Sequence, residues 1–255
     1  MKGIVKMNAY TAFAPLYDDF MSHIPYEEWG QNIDEYFRKN EIGKNILELG
    51  CGTGRFSFIM EKKGYTVIGI DNSEEMVKEA LRKAKKNKST CEFVLQDMRV
   101  IEQDKKFDAV ISVCDSMNYL ADEFDLISVM EGVKEVLLPG GIFLFDMKTE
   151  TFYKRLGELT FTDENENGSY IWKNFYDENT RDNFYEMTFF IHKKKNLYER
   201  KCEEHIQHCF TAEEIMESAK KAGLNFREML DMNLNNPGDY KAQRIYYVFE
   251  RNQDE

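Results

Sequence analysis

Proline, glycine and paired cysteine are scarce: the 255-residue chain has 4 Pro, 15 Gly and 5 Cys. So little Pro and Gly excludes a linker-rich or low-complexity chain. Cys51, Cys91, Cys114, Cys202 and Cys209 contain no C-x-x-C pair and are odd in number, the usage of idle or buried thiols in a reducing compartment. No run approaches 18 consecutive apolar residues, so no membrane-spanning helix is expected. The first twenty residues lack an apolar stretch of leader length and already carry Asp18 and Asp19, which places the expected location in the cytoplasm. Positive charge is short as well. The 34 Lys plus Arg against 46 Asp plus Glu leave a net charge of -12, a field that repels nucleic acid and acidic membranes. Lys83, Lys85, Lys86 and Lys88, and again Lys193, Lys194 and Lys195, lack the interleaved aromatics of a nucleic-acid footprint. The choice between monomer and homodimer is left open.

What is present is enough for a large core, with 42% hydrophobic and 14% aromatic residues. From Lys44 onward, short β-rich runs alternate with helical patterns, the signature of a parallel sheet built from βαβ units. The expected strands are NILELG (Asn45–Gly50), YTVIGID (Tyr65–Asp71), CEFVLQD (Cys91–Asp97), FDAVISVC (Phe107–Cys114) and IFLFDM (Ile142–Met147). Helical spacing joins Phe56, Ile59 and Met60, then Met76, Val77, Ala80, Leu81 and Ala84 behind a cap at Asn72 or Ser73. A further helix is expected from about Glu123 to Leu138, stopped by Pro139, Gly140 and Gly141. The alternation then breaks. GSYIWKNFYD, NFYEMTFFIHK and LYERKCEEHIQHCF read as three consecutive antiparallel strands. A capping box at Thr211 and Glu214 opens the last helix, Gly223 stops it, and FREMLDM and RIYYVFER supply two final strands. The fold expected is therefore α/β: a Rossmann-like, mostly parallel seven-stranded sheet with flanking helices and an inserted small antiparallel sheet. Residues 1–148 and 211–255 form the main domain and 149–210 the insertion.

The sharpest local pattern is ELGCGTGRF, Glu48 to Phe56, at a strand-to-helix junction. Its glycines let the backbone turn tightly and approach a ligand. Asp71 ends the second strand 21 residues after Gly50, where a carboxylate can accept both hydroxyl hydrogens of a ribose. Arg55 stands where the third glycine of an NAD fingerprint belongs, and no G-x-x-x-x-G-K-(S/T) motif occurs. The pattern wants a nucleoside without a phosphate bridge.

ELGCGTG followed by GID and LQD resembles the class I S-adenosylmethionine-dependent methyltransferases. The resemblance runs from about Lys44 to Met147 and implies S-adenosyl-L-methionine as cofactor. It implies that Glu48, Gly50, Cys51 and Gly52 border the methionine moiety, that Asp71 holds the ribose, and that Asn72, Met76, Asp97 and Met98 surround the adenine. CDSMNY (Cys114–Tyr119) would border cofactor and acceptor, which brings in Cys114, Asp115, Asn118 and Tyr119. The opening segment YTAFAPLYDDF is similar to the lid helix of small-molecule N-methyltransferases of the glycine and amino-sugar types, implying that Tyr10 and Tyr17 touch the methionine carboxylate or the acceptor. Equally, Tyr10, Phe13, Leu16, Tyr17 and Phe20 would serve as the packed face of an amphipathic helix.

Methyl transfer from a sulfonium needs alignment and water exclusion, and a base only where the acceptor must lose a proton. Asn118, Tyr119 and His205 are the candidate catalytic residues, with His192, His208, Glu203 and Glu204 as further titratable neighbours. Cys202, His205, His208 and Cys209 are ligand types, but alternation on a strand splits them between two faces, so no metal is expected. Trp172 and Tyr176 are expected to wall the acceptor. The function expected is methylation of a nitrogen or oxygen of a small-molecule acceptor. An RNA or protein methyltransferase, a nucleotide-dependent oxidoreductase and a binding domain without turnover are the alternatives; CDSMNY lacks the Pro-Pro motif of amide-directed DNA enzymes.

Overall fold

The computed structural model describes Tyr10, Ala14 and residues 16–253. Helices α1 (Tyr17–Phe20) and α2 (Tyr26–Lys39) precede β1 (Asn45–Leu49), α3 (Arg55–Lys62), β2 (Thr66–Asp71), α4 (Glu74–Asn87), β3 (Glu92–Leu95) and β4 (Phe107–Ser112). A 3₁₀ turn (Ser116–Tyr119), α5 (Glu123–Val136) and β5 (Leu137–Lys148) complete this half. Next come α6 (Glu150–Leu156), β6 (Thr160–Asn165), β7 (Gly168–Asp177), β8 (Asp182–Lys194) and β9 (Leu197–His208), then α7 (Ala212–Ala222), β10 (Asn225–Leu230) and β11 (Arg244–Glu250).

The main sheet has the order β10-β11-β5-β4-β1-β2-β3. All its pairs are parallel except those of β11 with β5 and β10. Ile46, Leu47 and Leu49 of β1 are buried without residual exposure, because a central parallel strand is covered on both faces and takes continuous apolar sequence. The order reverses between β1 and β4, and the crevice at the carboxyl ends of those strands is where such sheets bind ligands. α4 begins where Ser73 accepts the amide of Met76, and α7 where Thr211 and Glu214 cap each other.

The structure departs from the sequence-based expectation at several elements of the main domain. α2 was not anticipated, although Trp29, Ile33, Tyr36 and Phe37 are all buried at helical spacing. Of the helix expected around Tyr10–Phe20 the described residues show α1; Phe13 lies outside the described residues. α5 ends at Val136 rather than Leu138. Leu137 already pairs with Phe107, and the Gly140 and Gly141 backbone exchanges hydrogen bonds with Arg251 at 3.0 and 2.9 Å, drawing Pro139-Gly-Gly into β5 as an irregularity. β4 in turn stops at Ser112, because Cys114 and Asp115 adopt left-handed conformations that swing the chain into the 3₁₀ turn.

The inserted sheet has four strands, in the order β6-β7-β8-β9, instead of three. β6 (TFTDEN) is exposed along its whole length, so no buried face printed an alternation on its sequence. α6 precedes it. Contacts through β9 dock the insertion on the carboxyl edge of the main sheet: Asn118 Nδ2 donates to the His208 carbonyl at 3.0 Å and Gln207 Nε2 to Asp115 at 2.7 Å. Tyr185, Met187 and Phe189 of β8 pack beneath it against Leu16 and Phe20. Among the described residues no helix is long and apolar enough to cross a membrane.

Phe37 joins α2 to the core with no exposed surface, whereas Phe124 is 80% exposed. Phe37→Ala is expected to cost about 3–5 kcal/mol of unfolding free energy. Phe124→Ser should stay within about 0.5 kcal/mol of the parent. Urea titrations of both variants measure the difference.

Candidate active site

The turn after β1 places Gly50 at φ +69° and Gly52 at φ +53°, a region that side chains with a Cβ enter at a cost. A Cβ on Gly50 would lie 2.6 Å from Ser116 Oγ, whereas one on Gly52 would meet nothing within 4 Å. The first glycine is required by close approach of the 3₁₀ turn, the second leaves open space in the crevice. Asp71 lies beside it. Its Oδ2 accepts the Gly52 amide at 2.8 Å and its Oδ1 the Ser73 amide at 2.8 Å. Burial raises the carboxyl above its usual range and the two amides oppose that rise. Each oxygen keeps a lone pair in the plane of the carboxylate, the donor-accepting pattern that a vicinal diol matches.

One cavity gathers most of the residues expected from sequence: Tyr10, Tyr17, Glu48, Gly50, Cys51, Gly52, Asp71, Asn72, Met76, Met98, Cys114 and Tyr119. Ser116, within the expected Cys114–Tyr119 segment, also lines it, as do Tyr26, Arg55 and Gln96, which were not foreseen. Tyr17 and Tyr26 hydroxyls are 3.0 Å apart, and Tyr26 donates to Cys114 Sγ at 3.4 Å. Arg55, read from sequence only as a missing glycine, donates to the Met21 carbonyl at 2.9 Å and lies over the Tyr26 ring. It thereby ties the N-terminal segment to the glycine-rich turn. Burial raises the phenols of Tyr10, Tyr17, Tyr26 and Tyr119 well above their ordinary range, so they serve as neutral hydrogen-bonding groups.

Other expected residues stand outside the lining. Asp97 is turned onto Arg99, whose hydrogen bonds hold the carboxyl below its usual range, and Gln96 takes the place beside the cavity. Asp115 is buried among Arg244 at 2.6 Å, Lys148 at 2.8 Å and Gln207. Burial alone would raise it; Lys148 and Arg244 instead hold it at about 2. Asn118 is a structural bridge: its Nδ2 donates to the carbonyls of Lys148 and His208 and its Oδ1 accepts the Lys148 amide at 2.9 Å. With every polar atom of its side chain engaged, it presents none to the cavity. His205 lies behind the wall, its Nδ1 3.0 Å from the Tyr119 hydroxyl.

Trp172 and Tyr176 do not wall the cavity. Trp172 packs edge-on against Tyr185 of the neighbouring β8, and Tyr176, on the same face of β7, stacks on Tyr153 of α6 at 5.4 Å. On β9, His208 Nδ1 is engaged with Asp182 at 2.7 Å, and no group of three or more His, Cys, Asp or Glu is arranged to hold a metal among the described residues. Lys148 and Arg244 carry no motif, so nothing in their sequence surroundings signalled the ion cluster.

The profile of the methyltransferase domain family matches residues 40–252. The chain is 35% identical over 244 residues to YqeM of Bacillus subtilis, named as a candidate methyltransferase, covering 95% of this chain and 97% of that protein. The crystal structure of an S-adenosylmethionine-dependent methyltransferase from Clostridium acetobutylicum superposes with a TM-score of 0.84 at 27% identity, covering 96% of this chain and all (100%) of that one. The sugar N-methyltransferase KedS8 of Streptoalloteichus shares the fold, with a TM-score of 0.77 at 18% identity over 92% of each chain.

Two substitutions separate support from chemistry. Asn118→Ala strands three buried backbone groups, and its expected cost is about 2–4 kcal/mol. At roughly 2–4 °C per kcal/mol for a chain of this size, scanning calorimetry should show a clear fall in Tm. Glu48 accepts from Ser57 Oγ, and burial pushes its carboxyl up to about 8. The folded chain therefore holds a proton that the unfolded chain releases at the ordinary glutamate value. Its contribution to stability is full below that value and is lost as pH rises through about 8. Glu48→Gln should remove this decline, so urea melts from pH 5 to 9 without ligand should increasingly favour the variant.

Proposed function

The chain belongs to the methyltransferase domain family, and on that premise we propose that it transfers a methyl group from S-adenosyl-L-methionine to a nitrogen or oxygen of a small-molecule acceptor. The observation that carries the reading is Asp71, buried at the end of β2, accepting from the amides of Gly52 and Ser73 and lining the same cavity as Gly52. Its two carboxylate acceptors fit the diol of the cofactor's ribose. Asn72, Met76, Gln96 and Met98 are the groups around its adenine, and Gly50, Cys51, Gly52 and Glu48 those around its methionine portion. Asp97 is left to its ion pair.

Bound S-adenosylmethionine supplies a methyl group on a sulfonium that departs as a neutral thioether. The chain's own work is then orientation and exclusion of water. Tyr10, Tyr17, Tyr26 and Tyr119 line the cavity, and α1 acts as the lid. Asp18 accepts from Thr53 Oγ1 at 2.7 Å and pairs with Lys83, fastening that lid to the glycine-rich turn and α4. Residues 149–210 supply the acceptor side through β9. A small acceptor agrees with the net charge of -12, which opposes nucleic acid, and with the sugar substrate named for KedS8. The reading extends to a cytoplasmic enzyme, monomeric or homodimeric.

Calorimetric titration tests the assignment. The parent should bind S-adenosylmethionine and S-adenosylhomocysteine and bind NAD far more weakly. Asp71→Ala should lose about 1.5–3 kcal/mol, the scale of charge-assisted hydrogen bonds, or roughly 10-fold to 150-fold in Kd. Normal binding by folded Asp71→Ala, or tighter binding of NAD by the parent, would overturn it.

A further inference from the structure

We propose that Glu203, His205, Tyr119 and Tyr10 form a directed proton relay that carries the proton of the methyl acceptor out of the cavity. The inference rests on the methyl-transfer reading and narrows its substrate class to acceptors whose nucleophilic nitrogen or oxygen bears a proton to be lost. The relay begins at Glu203, which is 1% exposed on β9. Its Oε2 accepts the backbone amide of Tyr10 at 3.1 Å and lies 3.1 Å from His205 Nε2. An oxygen already accepting from an amide also accepts from the ring, so the proton of the neutral imidazole sits on Nε2. Nδ1 is then an acceptor. The Tyr119 hydroxyl, 3.0 Å from Nδ1, must donate to it. Its oxygen in turn accepts from Tyr10, whose hydroxyl lies 2.7 Å away. Each link dictates the direction of the next.

Two features favour transport over mere packing. Tyr10 and Tyr119 both line the cavity, while His205 and Glu203 are withdrawn behind them at 3% and 1% exposure. The ring of His205 is held edge-on by Tyr10 at 4.7 Å and tilted against Tyr119 at 5.9 Å, so its orientation is determined from two sides. Tyr185 stands opposite His205 on β8.

The step balances. The acceptor's lone pair forms the new bond to the methyl carbon as the carbon–sulfur bond breaks and its electron pair stays on sulfur. The N–H or O–H bond of the acceptor then breaks and its proton passes to the Tyr10 hydroxyl oxygen, the Tyr10 proton passes to the Tyr119 oxygen, and the Tyr119 proton passes to His205 Nδ1, leaving both phenols neutral. His205 becomes an imidazolium beside the Glu203 carboxylate, and the proton leaves when the cavity opens. Tyr119 and Tyr10 are the catalytic residues of this scheme; His205 and Glu203 act through them as positioning residues.

Nitrogen-15 NMR of the full chain labelled at histidine, saturated with S-adenosylhomocysteine, tests the relay directly. Only 4 histidines are present, and His208 serves as an internal control. The expected result is an Nε2–H tautomer at His205, an Nδ1 signal that moves toward the unbonded position in Tyr119→Phe, and an Nε2 signal that moves in Glu203→Gln. An Nδ1–H tautomer, or His205 signals unchanged in both variants, would overturn the relay. A second arm measures turnover with labelled S-adenosylmethionine and a defined mixture of amino sugars and aliphatic amines. Glu203→Gln should then lose at least tenfold in kcat near pH 7 with unchanged KM for the cofactor, recovering as pH rises and solvent base takes over. Wild-type turnover by folded Glu203→Gln would also overturn it, and in the absence of turnover by the parent the NMR arm decides alone. A parent that fails to bind S-adenosylhomocysteine sinks the cofactor reading, whereas binding with the wrong tautomer sinks only the relay.

Discussion

A carboxylate buried without partners is intolerable, and Asp115 shows how much structure is committed to avoiding that. Arg244 from β11, Lys148 from the end of β5 and Gln207 from β9 all converge on its two oxygens, and its backbone amide donates to Asp146 at 3.1 Å. Arg244 is shared with Asp146, while Gln207 Oε1 accepts from Tyr153 and Tyr185. A buried charge set of this kind adds little over apolar packing but penalises any arrangement that strands one member. It therefore specifies where the inserted sheet sits relative to the main one. Because Asp115 follows Cys114 in a left-handed turn, the same constraint sets the position of Ser116 against Gly50 and of Tyr119 at the cavity wall.

The cavity is consequently lined from two regions remote in sequence and backed by a third. The sheet contributes the glycine-rich turn and Asp71, which are rigid because backbone amides complete the carboxylate. The N-terminal segment contributes Tyr10, Tyr17 and Tyr26, held by Arg55, by Asp18 and by the amide contact of Tyr10 to Glu203. β9 contributes a buried edge of alternating Glu203, His205 and Gln207, of which Gln207 serves the ion cluster and His205 reaches Tyr119. Polar groups at alternate positions on one strand thus serve two neighbouring networks. Burial is what makes both directional, since in water each donor would have other acceptors.

The division between what could be read from the chain and what could not follows the range of the interactions. Glycines at 50 and 52, an acid at 71, the capping pair at Thr211 and Glu214 and the apolar runs of the parallel strands act within a few residues or one βαβ unit. Their residue types therefore announced both the sheet and the donor side of the cavity. β6, exposed along its length, announced nothing, and the Pro139-Gly140-Gly141 stop was overridden by pairing with Arg251, more than a hundred residues away. The same range effect separates the site residues. Asn118 and Asp115 sat at the right edge for chemistry, yet only packing from β5, β9 and β11 decided that they would be consumed as structural partners. Tyr119, their neighbour, was left facing the cavity. Local sequence determined which elements form and that a glycine-rich turn meets a carboxylate at the end of β2. The tertiary structure alone decided which polar side chains at that edge are satisfied from behind and which remain turned toward a substrate, because a buried hydrogen-bonding group is defined by the partners that folding brings to it.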